Sequence, residues 1–268
     1  MPSSIDAEAT KRDIDGNTFI GARNATPLNH PDVTHLPDDN PEPEIDPLSD
    51  AKVVDSWDHN AEPWTKAIRE NRIESRGLVT NQAILDAVES RSPGTILDIG
   101  CGEGWLIRAL AAKGIKGIGV DVVPGLIEQA ARAGGGDFRV MSYEQIAAGA
   151  LDVRVDVAVA NFSLIGEEAV ARLISRAHQL LVPTGSLVIQ TLHPVVANGE
   201  EAYVDGWRPG SWSGFSSDFT DPAPWYFRTM ESWLELLRKS GFSRVETREP
   251  THPVTKKPAS VIFIADFA

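Results

Sequence analysis

Cysteine is almost absent: Cys101 is the only one in 268 residues. A lone thiol cannot close an internal disulfide and leaves no cysteine-based metal cluster, so no metal site is expected. Long apolar runs are missing as well. No stretch reaches the ~18 consecutive apolar residues of a membrane span. The acidic, polar N-terminus carries no apolar signal region, so a soluble, cytoplasmic protein is expected. Positive charge is scarce, with 25 Lys and Arg against 38 Asp and Glu, a net charge of −13. Residues 1–50 hold eight Asp and three Glu against Lys11, Arg12 and Arg23, which is −8 and leaves −5 for the rest. Nowhere is there the basic stripe that displaces counterions from phosphates, which disfavours DNA or RNA as a partner. Internal repeats are lacking too.

The first 50 residues also lack hydrophobic periodicity and are rich in Asp, Asn and Pro, densest from Pro37 to Pro47. Such a segment cannot bury enough apolar surface to offset its ordering entropy. A disordered or surface-draped acidic extension over 1–50 is therefore expected, followed by a folded domain over 51–268.

What is present centres on Thr95 to Gly104, TILDIGCGEG. The apolar run Thr95, Ile96, Leu97, Ile99 reads as a short buried strand that breaks into Gly100, Gly102 and Gly104, with a helical pattern from Trp105. Strand, glycine turn and helix start form a nucleotide-binding layout, because glycines admit a ligand close to backbone and the helix start offers unpaired N–H groups. The dinucleotide fingerprint G-x-G-x-x-G is not met, since its last position is Trp105. Asp98 and Glu103 would also repel a pyrophosphate and attract an ammonium group. A second strand, Gly117 to Val120, ends in Asp121, 23 positions after Asp98, where a carboxylate can accept from both ribose hydroxyls. Cys101, between two loop glycines, reads as a small residue in a cramped turn rather than a nucleophile.

Asp98, Ile99, Gly100, Cys101, Gly102, Glu103 and Gly104, with Asp121 after them, resemble motif I and the following acidic motif of the class I S-adenosylmethionine-dependent methyltransferases. The resemblance extends over about Val53 to Phe267. It implies an α/β, Rossmann-like, seven-stranded, mostly parallel sheet of order 3-2-1-4-5-7-6, with helices on both faces and an antiparallel edge strand. It implies S-adenosylmethionine as cofactor and S-adenosylhomocysteine as product. The loop Asp98 to Gly104 would hold the methionine moiety, and Asp121, with Val122 beside it, the ribose. Relatives place an acidic residue after the third strand to hold the adenine; here the positions read Met141, Ser142, Tyr143 and Glu144, so Ser142 and the backbone of Tyr143 are the substitutes. At the end of the fourth strand, Asp156 to Ala160, Asn161 and Phe162 would lie beside the transferring methyl group, unless Asn161 merely makes a turn.

Around this frame, Val53, Val54, Trp57, Trp64, Ile68 and Ile73 suggest one or two helices and Asn81 to Ser90 another, an N-terminal helical cap over 51–92. Trp57, Asn60, Trp64 and Arg69 are candidates for closing over the cofactor, where an aromatic face beside a sulfonium gains cation–π stabilisation; the tryptophans could equally just pack the helices. Pro124 opens a helix that Gly134 to Gly136 end. Val170 to Leu181 give an amphipathic helix stopped at Pro183 to Gly185, Ser186 to Leu192 a fifth strand, and Phe242 to Arg248 and Ala259 to Asp266 two closing strands. Tyr203 to Phe227 holds eight of the chain's 19 aromatic residues among Gly, Pro and Ser, without periodicity. This aromatic-rich insertion, 194–228, is a candidate substrate wall through Trp207, Trp212, Trp225 and Tyr226, together with Trp64 and His193, or else a cap over the sheet edge.

The expected chemistry is methyl transfer to an O or N atom of a small, planar or apolar metabolite. His193, beyond the fifth strand, is the first candidate base and substrate contact, His252 the second base; an acidic acceptor would need neither. The competing readings are a methyltransferase acting on protein or RNA, a dinucleotide-dependent dehydrogenase, and a non-catalytic cofactor-binding module. A monomer or homodimer with no membrane partner is expected.

Overall fold

The computed structural model describes residues 45–267, so the expected extension lies outside the described residues up to position 44. Its N-terminal segment comprises α1 (Asp50–His59), α2 (Ala61–Arg69), a π-helical turn at Arg76–Thr80 and α3 (Asn81–Glu89). Ser49 caps α1 by accepting from the Lys52 N–H, and Asp50 lies in the first turn, where the helix dipole favours a negative charge.

The sheet then alternates with helices: β1 (Thr95–Ile99), α4 (Trp105–Ala111), β2 (Lys116–Asp121), α5 (Pro124–Ala133), β3 (Asp137–Val140), α6 (Tyr143–Ala147), β4 (Val155–Asn161), α7 (Glu168–Arg176), β5 (Leu181–Thr191) and α8 (Pro194–Ala197). After these come β6 (Gly206–Arg208), β7 (Trp225–Phe227), α9 (Met230–Lys239), β8 (Phe242–Arg248) and β9 (Val261–Phe267). Seven strands form one sheet of order β3-β2-β1-β4-β5-β9-β8, with β9 antiparallel to both of its neighbours. This is the predicted α/β Rossmann-like order; β6 and β7 pair with each other outside it, so the last two sheet strands are the eighth and ninth along the chain.

Strand alternation divides the core in two. Leu97, Ile99, Ala158, Ala160, Leu187 and Ile189 face one way, onto Leu173 and Ile174 of α7 and Trp233 and Leu237 of α9. Ile96, Val157, Val159, Val188, Ile262 and Ile264 face the other, onto Ile84 and Val88 of α3 and Leu106 and Leu110 of α4. With both faces covered, the central strands read as continuous apolar runs in the sequence.

Two expected boundaries differ. The helix predicted to run to Leu181 ends at Arg176, followed by a 3-10 turn, Ala177–Leu180, and Leu181 opens β5 by pairing with Val155. Leu180 and Leu181 are buried in the same cluster as α7, so their apolar character continued the helical period after the backbone had left it. The aromatic insertion is not wholly irregular either, since Trp207 pairs with Tyr226 and Arg208 with Trp225 across the β6–β7 hairpin.

Candidate functional site

The glycine turn is fixed by sterics as much as by hydrogen bonds. Gly100 has φ +72°, and a Cβ there would stand 2.3 Å from the Cβ of Ser163 and 2.9 Å from the Tyr143 hydroxyl oxygen. Gly104 has φ +81°, against the ring of Phe138. Only glycine reaches these angles without strain. The N–H groups of Gly100 and Cys101 donate to the Val120 carbonyl at 2.8 and 3.0 Å, tying the turn to β2. Asp121 completes the tie by accepting from the Gly102 N–H at 2.9 Å and the Val123 N–H at 3.0 Å. Two residues past β4, Ser163 Oγ donates to the Ile99 carbonyl at 2.6 Å, and the Tyr143 hydroxyl donates to the Ser163 carbonyl at 3.0 Å.

The charges here do not act as the sequence suggested. Glu103 is 1% exposed but paired, with Arg69 at 3.0 Å and Arg108 at 2.6 Å. Its carboxylate is therefore neutralised inside the fold, and Arg69, expected in the closure of the cap, is the residue that α2 contributes to it. Asp98 is different: it is 2% exposed, and its Oδ1 has no hydrogen-bond partner among the described residues. Burial, and after it the nearby Asp121, push its pKa up to about 8, against the opposing pull of Arg76. Arg76 is also buried, with Nη2 unpartnered among the described residues, and lies 5.0 Å from the ring centre of Trp105 and 5.7 Å from that of Trp64. Burial lowers its pKa to about 10, with Glu103 and Asp98 opposing. A carboxyl and a guanidinium thus sit buried beside the glycine turn, each with an atom left unsatisfied among the described residues, a costly arrangement unless something polar fills the gap.

Two cavities adjoin at this point. The first, about 130 Å³, is lined by Gly100, Cys101, Gly102, Asp121 and Val122 from the β1 and β2 ends. Ser142, Tyr143, Asn161, Phe162 and Trp57 complete its wall as far as the expected cofactor residues go, while Asp98 lies buried two residues before Gly100. Ser142 and Gln145 also form a reciprocal cap on α6. Burial raises the pKa of Cys101, which keeps it a thiol and no nucleophile. The second cavity, about 390 Å³, is lined by Trp64, Trp212, Trp225 and Tyr226 of the expected substrate wall, with Trp233 and Arg228 beside them. Trp57, Trp64, Arg76, Phe162 and Ile165 belong to both walls. Phe162 holds this seam at φ +55°, a conformation that bulky residues rarely adopt.

Four expected site residues line neither cavity: Asp98, buried behind the turn, and three that lie elsewhere. Trp207 is outside both walls, and its Nε1 donates to Glu167 at 2.9 Å. His193 is buried outside both walls; its Nε2 lies 3.6 Å from Glu249 Oε2, and neither ring nitrogen has a hydrogen-bond partner among the described residues. His252 lies in the β8–β9 loop, where its Nδ1 accepts from the N–H groups of Val254 and Thr255 at 3.2 and 3.3 Å. Sheet topology places the backbone of His193 near the strand ends, but the side chain lines neither cavity. Asn60, fully buried, exchanges hydrogen bonds with Thr220, donating to its carbonyl at 2.7 Å and accepting from its N–H at 3.0 Å. Trp57 meets Trp212 edge-on at 5.7 Å, so the insertion rests on α1. Sequence reasoning missed Arg76, Trp105 and Arg228, for which no motif or periodicity gives a signal.

A family model for a methyltransferase domain matches residues 73–247. The chain belongs to this family and is a class I S-adenosylmethionine-dependent methyltransferase. A comparison with curated proteins finds no match. Among solved structures it is similar to an S-adenosylmethionine-dependent methyltransferase from Mesorhizobium loti, 23% identical over 69% of this chain and 96% of that one, with a TM-score of 0.53. It is also similar to the Burkholderia thailandensis 1,6-didemethyltoxoflavin-N1-methyltransferase, crystallised with 1,6-didemethyltoxoflavin and S-adenosylhomocysteine: 21% identity, 84% and 92% coverage, TM-score 0.57. A third is the plantazolicin methyltransferase BamL, 15% identical over 81% and 96%, TM-score 0.57. Among the described residues no helix is long and apolar enough to cross a membrane.

Proposed function

We propose that the first cavity holds S-adenosylmethionine and the second a small, planar or apolar metabolite that receives the methyl group on an O or N atom. The observation that carries this reading is the pair of unsatisfied buried atoms, Asp98 Oδ1 and Arg76 Nη2. An α-amino acid head group is a zwitterion, and its ammonium and carboxylate complement the two at once, which neither a pyrophosphate nor a neutral ligand does. Asp121 keeps lone pairs beyond its two backbone bonds for ribose hydroxyls. Ser142 and Tyr143, and Glu144 in the same wall, fit the adenine end, and Asn161 and Phe162 fit the sulfur end.

When bound, S-adenosylmethionine supplies a methyl carbon already made electrophilic by its positive sulfur. The residues of the chain orient and exclude. Asp98 and Arg76 fix the amino-acid end, the missing Cβ at Gly100 leaves room for Ser163 and Tyr143 to close against the turn, and the seam residues set the approach from the second cavity. The ring-lined wall keeps water out, and holding two reactants in line supplies much of the acceleration. With His193 and His252 outside both walls, a histidine base forms no part of this mechanism. The ring-lined second cavity and the −5 balance of residues 51–268 support a small-molecule acceptor over nucleic acid, in a soluble cytoplasmic monomer or homodimer. Calorimetric titration with S-adenosylmethionine, S-adenosylhomocysteine and NADH tests the assignment. Tight binding of the two nucleosides is expected; binding of NADH alone would refute it.

A further inference from the structure

The second cavity has a charge imbalance that a neutral acceptor leaves uncorrected. Nine aromatic side chains line it, and among the described residues its wall contains no Asp, Glu, His, Lys or Cys. Arg228 is the cation beside Tyr226 and Trp233, only 5% exposed and without an ion-pair partner within 4.0 Å among the described residues. Two of its five N–H donors are used, Nη1 to the Gly166 carbonyl at 2.8 Å and Nη2 to the Glu167 carbonyl at 2.7 Å. Its guanidinium lies 4.7 Å from the Tyr226 ring centre and 5.2 Å from that of Trp233. The carboxylates of Glu167, Asp205 and Asp50 act on it from outside this wall. Arg76 adds a second positive charge at the seam, so both charges in the wall have one sign.

The wall also offers nothing that could take a proton. Tyr226 is its one tyrosine, and burial together with Glu167 raises the pKa of the phenol, which keeps it protonated at neutral pH. A neutral alcohol or amide would have to shed its proton without a protein base.

We propose that the acceptor is a planar organic acid that enters as its anion, its aromatic body between the rings of the second cavity and its negative charge toward Arg228. This rests on the reading that the cavity is the acceptor site. An anion needs no base: its lone pair forms the new bond to the methyl carbon while the electron pair of the C–S bond stays on sulfur. The −1 and +1 charges of the reactants cancel, and no proton is released. An ionised group also matches the planar donor fork of arginine, in which three N–H groups are not engaged by the two recorded bonds.

The test uses matched pairs that differ only in charge, benzoate with benzamide and 2-naphthoate with 2-naphthamide, titrated into the full chain saturated with S-adenosylhomocysteine. At least one acid is expected to bind tenfold or more tighter than its amide. In Arg228→Met the ratio is expected to collapse to within about twofold, and in Arg228→Lys to be partly retained, with S-adenosylhomocysteine affinity confirming that both variants fold. If Arg228 only clamps the Gly166 and Glu167 carbonyls, the ratio does not follow the charge at this position. Should either variant fail to fold, the wild-type ratio decides. No acid binding tighter than its amide in the wild type, or a ratio unchanged in a folded Arg228→Met, would overturn the proposal. Where S-adenosylhomocysteine binds and the preference is absent, only the acid assignment falls; where S-adenosylhomocysteine does not bind, the proposed function falls with it.

Discussion

Binding of the amino-acid head group should release a proton, and the size of the effect follows from Asp98. In the free protein its carboxyl has a pKa of about 8. The ligand's ammonium, which stays charged from pH 6 to pH 7, pairs best with the ionised form. At pH 6.5, about 1.5 pH units below the Asp98 value, the free carboxyl is almost wholly protonated. Ionising it then takes ~2 kcal/mol from the observed affinity, at about 1.4 kcal/mol per pH unit. S-adenosylhomocysteine affinity should therefore climb about tenfold from pH 6 to pH 7, with nearly one proton released per site. Calorimetry in two buffers of different ionisation enthalpy reads that number directly. Asp98→Asn should abolish the release and flatten the profile while weakening binding at pH 8. The raised carboxyl also disfavours the free fold: the unfolded chain binds fewer protons between pH 4 and 8, so stability falls as pH rises through that window. Free Asp98→Asn should accordingly melt higher than wild type at pH 8, by about 2–4 °C for each kcal/mol relieved. A wild-type protein with flat affinity and no proton release would refute the placement of the head group at Asp98.

Arg76→Met should weaken S-adenosylhomocysteine by roughly 1.5–3 kcal/mol, the range for a charged hydrogen bond, and leave 5′-methylthioadenosine, which lacks the amino-acid end, almost unchanged. Equal losses for both ligands in calorimetry would point to general damage instead. Asn60→Ala removes both hydrogen bonds to Thr220 and should lower stability by ~1–3 kcal/mol while speeding proteolysis within residues 209–224. A cleavage rate equal to wild type would contradict the docking of the insertion on α1. Gly100→Ala meets both a positive φ and the Ser163 side chain and should cost ~2 kcal/mol or more in stability, whereas Gly114→Ala, with φ +85° and nothing within 4 Å, should cost only ~1. Similar melting temperatures for the two variants would remove the steric account of the turn.

How much was legible depended on how far apart in the chain the interacting groups lie. The central strands, the glycine turn and Asp121 could be read because each rests on local signals: apolar runs, glycines at fixed offsets, a carboxylate closing a strand; the strand order came with the family resemblance that those motifs carry. Glu103 misled because its charge is cancelled from two sides, by Arg108 one turn on and by Arg69 from α2, 34 positions earlier. His193 misled because a strand end fixes where the backbone goes and not where the ring turns. Arg76 and Arg228 gave no signal because burial beside aromatic rings, rather than any neighbour in sequence, gives each its role. Leu181 continued a helical period for the simple reason that helix and strand share one core.

The seam of five residues between the two cavities has a consequence for inhibition. A partition only one side chain thick in places, with Phe162 and Trp57 facing both chambers, lets one molecule occupy both by a short tether. An adenosine unit joined to an aromatic acid would turn the second capture into an intramolecular event, and its avidity would exceed that of either half without any new contact.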